Sequence, residues 1–411
     1  MTPKSSVALS ILCLAAALCP ISVRAADLSV DTLDLVTHGG LNETTGHFEM
    51  STRLFFDLSM RGGDKFAGLL RLEFQNSNVE KAISLGGNQA PSAPVAYDQN
   101  QLQQVIDKLN NLTSPTIRTA AVTAREAFDL PLDLTYFVGF LDTFGSGDDF
   151  GPLFGAPPFG TKLRGPMVYP NGVGGDPNLY YDGIAAANGT GFRLGTTPKL
   201  SDSMVAYLYM YQDSDIGSGY WSADGRILLN GDHLKFEIFT GASTFGGAKL
   251  GVYRGGFLFY AAPGEVGEFF AQVGVPHWDP TTSFSVDSLF FLFEPRVNFG
   301  AGNLALTVFY HPSWYRERDN SNPLSGEKGA LDTAVNLGFG RLDQTGVLGG
   351  LEGLLEFRPL TTTPLTVLVS PYYSAISGGV EWDFKLGLKL FPLPSQWYGV
   401  LEPFIGLKTS F

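Results

Sequence analysis

Cysteine, charge and long apolar stretches are all scarce in this chain of 411 residues. Its two cysteines, Cys13 and Cys19, both precede residue 26, so everything after them lacks a disulfide, a thiolate metal site and a thiol nucleophile. Beyond Val23 no stretch reaches the roughly 18 consecutive apolar residues of a membrane-spanning helix. Basic residues are outnumbered 27 to 40, and a net charge of -13 leaves no basic face for nucleic acid. The histidines, His38, His47, His233, His277 and His311, fall into no HExxH or other close ligand spacing. Gly241-Ala242-Ser243-Thr244-Phe245 misses the nucleophile elbow because position 245 is not glycine. Neither an enzyme nor a cofactor site is expected, and Asp148-Asp149 is only a weak two-acid lead to a metal such as Ca²⁺. No low-complexity linker divides the chain, so one domain is expected over 26-411.

What the chain has is alternation, together with 50 Gly, 32 Phe and 16 Tyr. Phe48, Met50, Thr52, Leu54, Phe56, Leu58 and Met60 alternate with Glu49, Ser51, Arg53, Phe55, Asp57 and Ser59. Successive strand side chains point to opposite faces, so this segment has one apolar and one polar wall. After Gly62-Gly63-Asp64, Phe66, Leu70, Leu72 and Phe74 oppose Arg71, Glu73 and Gln75, which completes a hairpin. Val380, Trp382, Phe384, Leu386, Leu388 and Leu390 oppose Glu381, Asp383, Lys385 and Lys389, and Leu234, Phe236 and Ile238 oppose His233, Lys235 and Glu237. Such runs are about 11 to 14 residues long, against roughly 5 to 6 for an ordinary soluble strand, and suit a tilted membrane crossing. Charges of both signs sit in mid-strand on the polar face, where a water-filled lumen accepts them. On the lipid face one charge would cost roughly 2 to 4 kcal/mol.

The expected fold is therefore all-β: a single antiparallel transmembrane barrel. Candidate strands fall at 28-36, 48-61, 65-76, 117-128, 131-140, 189-196, 202-212, 221-229, 233-242, 248-260, 265-274, 285-295, 303-311, 329-340, 346-357, 363-372, 378-390 and 398-411. The patterns at 28-36 and 221-229 are the faintest, so 16 to 18 strands are expected, with short periplasmic turns and long outer loops at 77-116, 141-188 and 312-328. Pro295, Pro371 and Pro403 go against the pattern, because each removes a ladder donor. Gln99 to Leu112 has the spacing of a short amphipathic helix in the second outer loop.

The two chain ends agree with export to a membrane. Lys4 leads into an apolar run from Val7 to Val23, and Val23-Arg24-Ala25 fits signal cleavage between Ala25 and Ala26. Leu18 and Pro20 around Cys19 argue against a lipoprotein. Loss of residues 1-25, which hold Lys4, Arg24 and no acid, moves the net charge from -13 to -15. At the other end Leu401, Pro403, Ile405, Leu407 and Thr409 alternate up to a terminal Phe411. This closing strand resembles that of bacterial outer-membrane β-barrels, whose terminal aromatic is part of the assembly signal. Arg125-Glu126-Ala127-Phe128 followed by Leu132, Leu134, Val138 and Gly139 resembles the charged-aromatic strand and return strand of general and substrate-selective porins. The usual Arg after that Gly is replaced here by Phe140.

The resemblance implies an outer-membrane channel for passive diffusion of small hydrophilic solutes or ions. Its partners would be outer-membrane lipid and the barrel-assembly machinery, and its state a homotrimer or a monomer. A barrel of sixteen or more strands is also too wide for side chains to fill, so its interior should hold water. Candidate pore-lining residues are Arg53, Arg61, Arg71, Arg125, Lys235 and Lys385 against Glu49, Asp57, Glu73, Glu126, Glu237 and Asp383. They form either two opposed sets across an eyelet or ordinary solvated lumenal residues and strand-to-strand ion pairs, and for any one residue the latter, plainer reading is favoured. The candidate constriction is 141-188, with Asp142, Asp148, Asp149, Asp176 and Asp182. Aromatic pairs at Tyr180-Tyr181, Tyr220-Trp221, Trp314-Tyr315, Tyr372-Tyr373 and Trp397-Tyr398 suit an interface girdle. Three other classes remain open: a surface adhesin or receptor with a blocked lumen, a barrel hydrolase with a catalytic constellation at one rim, and a hydrophobic-substrate transporter.

Overall fold

The computed structural model describes residues 27–41, 46–76, 114–165, 167–169, 183–216, 219–245, 251–264, 266–312, 329–357 and 365–411. Alternating apolar and polar residues give eighteen strands in the order β1 Asp27–Leu41, β2 Phe48–Gly62, β3 Phe66–Asn76, β4 Ser114–Ala124, β5 Leu132–Phe144 and β6 Ala185–Thr196. The series continues with β7 Met204–Asp213, β8 Tyr220–Asn230, β9 Leu234–Phe245, β10 Tyr253–Ala261, β11 Gly267–Trp278 and β12 Phe290–Phe299. It ends with β13 Gly302–His311, β14 Ala330–Arg341, β15 Val347–Phe357, β16 Leu365–Ser377, β17 Val380–Phe391 and β18 Leu401–Ser410.

Every strand pairs antiparallel with its chain neighbours. β18 closes on β1 through a register that runs from Thr32 opposite Ser410 to His38 opposite Phe404. Closure leaves no open sheet edge, so the backbone groups satisfy one another around a cylinder. The two strands with the faintest pattern are both present, as β1 and β8. No helix among the described residues is long and apolar enough to cross a membrane.

Side-chain direction follows the period of two. In β9, Leu234 and Ile238 are exposed on the outside, while Lys235, Glu237 and Phe239 are buried toward the axis. In β17, Trp382, Phe384, Leu386 and Leu390 face out and Asp383 and Lys385 face in. The connections are asymmetric as well. At one end the chain turns within 63-65, 125-131, 197-203, 231-233, 262-266, 300-301, 342-346 and 378-379, and the opposite end carries 77-113, 145-184 and 312-329.

The prolines are accommodated where a ladder lapses. Pro295 pairs with Phe269 of β11, but the β12–β13 register jumps from Phe293 to Arg296. Pro371 pairs with Leu351, while β16–β17 jumps from Val369 to Tyr372. Pro403 pairs with Leu386, and the pairing of β18 with β1 ends at Phe404. A strand residue donates to only one neighbour, so each missing N–H faces a gap rather than a required bond.

Several boundaries differ from the sequence-based ones. The segment 117-128 ends as a strand at Ala124, and Ala127–Asp129 forms a 3₁₀ turn with positive φ at Glu126, Phe128 and Asp129. The segment 285-295 begins with a 3₁₀ turn at Val286–Ser288 and pairs only from Phe290. The signal segment with Ala25 and Ala26, the 99-112 helix, Asp176 and Asp182 lie outside the described residues.

Candidate functional site

Residues 145–165 and 167–169, in the connection between β5 and β6, fold into the bore. Gly145 and Gly147, with φ of 73° and 87°, turn the chain off β5, and a Cβ on Gly147 would lie 2.8 Å from the Phe159 ring. A short helix, Phe150–Phe154, follows and ends on Gly155 at φ 68°. Phe150 and Phe159 are in edge contact at 5.2 Å, and Phe159 stacks on Tyr260 at 4.5 Å. With Phe144, Tyr209, Phe239, Phe270, Phe290 and Phe309 they form a closely packed apolar cluster inside the barrel. Along β5 to β13 the aromatic side chains of the inner wall and those of the described loop residues pack against one another in this cluster.

Polar clamps fasten this loop to the wall. Arg226 of β8 is fully buried between Glu237 at 2.6 Å and Asp149 at 2.5 Å, and its guanidinium lies 5.5 Å from the centre of the Phe144 ring. Glu237 also accepts from the Gly145 N–H at 2.6 Å, and Gln272 donates to the Gly145 carbonyl. Glu294 of β12 accepts from the Thr161 hydroxyl at 2.6 Å and the Lys162 N–H at 2.9 Å. Arg296 pairs with Glu294 at 2.7 Å and donates to the carbonyls of Phe159 and Gly160 at 3.0 and 2.7 Å. Burial beside Arg296 lowers the pKa of the Lys162 ammonium. Next along the wall, Arg254 joins Asp224 at 2.6 Å and Asp213 at 2.9 Å.

Residues 167–169 cross to the other side. Met167 and Tyr169 pack on Val36, Phe55, Tyr372 and Phe404, and the Tyr169 hydroxyl donates to Asp383 at 2.8 Å. Gly406 makes room for this contact, since a Cβ there would lie 2.0 Å from the Tyr169 oxygen and the ring would have to shift.

Between the loop and the β1–β5 wall lies a cavity of about 440 Å³ with Asp34, Asp57, Asp142, Asp148, Arg71, Arg118, Arg164, Arg193 and Lys408 among its lining residues. Most of these charges are paired across short distances: Arg193 with Asp142 at 2.7 Å, Arg164 with Asp148 at 2.9 Å, Arg71 with Asp57 at 3.3 Å, and Arg118 with Glu73 at 2.6 Å. Lys408 donates to the Val168 carbonyl at 3.2 Å.

The structure brings together Arg53, Asp57, Arg71 and Glu73 on one stretch of inner wall, with Arg53 to Glu73 at 4.0 Å. Lys385 pairs with Glu352 on the inner wall. Lys235 bends back to the Gly231 carbonyl at 2.6 Å. Glu49 and Arg61 are exposed at opposite ends of β2. Arg125 and Glu126 lie in the 125-131 turn, where Glu126 pairs with Lys199. Asp142 belongs to β5, ahead of the loop, and Phe411 extends past β18 with an exposed ring. Of the aromatic pairs, Trp221 and Tyr373 face outward, whereas Tyr372 is buried inside. Arg226, Arg254, Glu294 and Arg296 were legible only as alternation, Ser222-x-Asp224-x-Arg226 and Glu294-x-Arg296 against apolar neighbours. Nothing local marks Arg226, Glu294 and Arg296 as anchors for a loop far away in sequence, or Arg254 as the partner of Asp213 and Asp224.

No protein-family model matches the chain, and no curated protein matches it. Among solved structures, a mutant of Rh. blastica porin is similar with a TM-score of 0.45 and 9% identity, over 94% of this chain and 100% of that one. A second mutant of the same porin gives 0.45 and 10% over the same shares. Salmonella typhi OmpF, in complex with daunomycin, gives 0.43 and 10% over 93% of this chain and 97% of that one. Likeness at this level carries no argument about what the chain does.

Proposed function

We propose that this chain is an outer-membrane channel for passive diffusion of small hydrophilic solutes or ions. One observation carries the reading. A closed barrel with an apolar exterior turns its strand charges inward, and the inward loop leaves a charge-lined cavity of about 440 Å³ beside it. In this reading 145-169 is the constriction, and Arg71, Arg118, Arg164 and Arg193 with Asp57, Asp142 and Asp148 set what passes. Passage along such a path needs no catalysis and no cofactor. The signal segment 1-25 and Phe411 would direct export and assembly, and the protein would work as a trimer or a monomer. The apolar packing of the opposite side favours a second reading, a barrel with a closed bore that serves as a surface receptor. Planar bilayers separate the two: discrete conductance steps from purified, folded protein support the channel, and a silent but heat-modifiable barrel supports the receptor.

A further inference from the structure

A cluster away from the inward loop combines a histidine and two carboxylates. We infer that His311, Asp332 and Glu356 form a binding site for a divalent transition-metal ion of the zinc type. His311 ends β13, Asp332 lies near the start of β14 and Glu356 near the end of β15, so adjacent strands bring all three to the inner wall at the end that carries the long connections. Asp332 stands directly opposite Glu356 in one ladder and opposite Phe309 in the other, with His311 two residues on from Phe309.

The ligand atoms of the three side chains lie within 4.8 Å of one another. His311 Nε2 is 3.5 Å from Asp332 Oδ2, longer than a good N–H···O bond. It matches the roughly 3.4 Å between two donors that each sit about 2.1 Å from one tetrahedral ion. Asp332 and His311 are 0% and 1% exposed and Glu356 is partly exposed, so the site is dry at its back and open on one side. Carboxylates directly opposite in a ladder repel each other, and a cation shared between them reverses the sign. The Phe309 ring, 5.3 Å from the imidazole, helps to fix its orientation. One imidazole nitrogen with two carboxylate oxygens suits Zn²⁺, Co²⁺ or Ni²⁺, whereas Ca²⁺ and Mg²⁺ prefer oxygen alone. The ligands come from three strands, so no close spacing in the sequence announces them.

The site requires the barrel but not a conducting path, so its test stands apart from that of the channel. Full-length folded protein in detergent is titrated with Zn²⁺ in competition with a chromogenic chelator, and Co²⁺ binding is followed by visible absorption. The expected result is one Zn²⁺ per chain, weakened at least tenfold in His311→Ala and in Asp332→Asn and not displaced by excess Mg²⁺. Glu356→Gln, on the partly exposed residue, serves if either variant loses its heat-modifiable fold. Absence of stoichiometric Zn²⁺ binding in the natural protein, or equal binding in the folded variants, overturns the site.

Discussion

The two sides of the bore are built from the same alternating strands, yet they are held by different physics. Along β8 to β12 the inner wall meets a folded loop, and charges such as Arg226 and Glu237 are completely enclosed. Along β2 to β4, Arg53, Arg71 and Arg118 keep 31% to 40% of their side-chain surface exposed. A buried ion pair gains much from Coulomb attraction in a low dielectric but is costly to leave half-made, whereas an exposed pair is screened and weak. One side of the barrel is thus a fastening and the other a solvated lining.

The largest expected effect is on the fastened side. Arg226→Ala leaves Glu237 enclosed without its cation and takes the partner from the half-buried Asp149, and should cost about 3 to 5 kcal/mol. Arg71→Ala on the open side should cost about 1 kcal/mol or less. Denaturant unfolding of the two variants measures the difference, and equal costs would dissolve the contrast. Phe159→Ala removes the ring between Phe150 and Tyr260 and should cost about 3 to 5 kcal/mol at the upper end of core truncations. If the loop is the constriction, the same variant should also enlarge the unit conductance. Thr161→Val removes a hydroxyl donor to the Glu294 carboxylate and should cost about 1.5 to 3 kcal/mol. Val is close in shape, so any change in conductance should be small.

The smallest effect belongs to the rim of short turns. Lys65 lies 2.8 Å from Asp129, whose carboxyl is held below its ordinary value by that hydrogen bond and charge. A depressed carboxyl pKa gives stability that is present above the unfolded value and is lost as pH falls through the lower folded value. The melting temperature of natural protein and Lys65→Ala should therefore differ slightly at neutral pH and converge at acid pH. A gap that widens on acidification would contradict this sign.

Much of the architecture was legible because it is local. The runs at Phe48 to Met60 and Val380 to Leu390 show in sequence which residues face outward, since neighbouring side chains on a strand must diverge. Even β1, faint as 28-36, proved to be a strand of full length. The motif around Arg125 misled at the point where backbone conformation overrode pattern: positive φ at Glu126, Phe128 and Asp129 makes a turn of what alternation allowed as a strand. The candidate site was half legible. Asp148 and Asp149 stood out in a long loop, but Arg226, which receives Asp149, did not, because a charge on a strand looks the same whether it meets water or a carboxylate.

By itself the sequence determined the two faces of each strand, the excess of acid, and the segments long enough to leave the wall, all set by residues within a few positions of one another. Only the tertiary structure decided that the loop turns inward and which charges it meets. Thr161 reaches Glu294 across 133 positions, and Tyr169 reaches Asp383 across 214. Contacts at such separations exist only once the cylinder has closed and fixed which strands face each other across the bore.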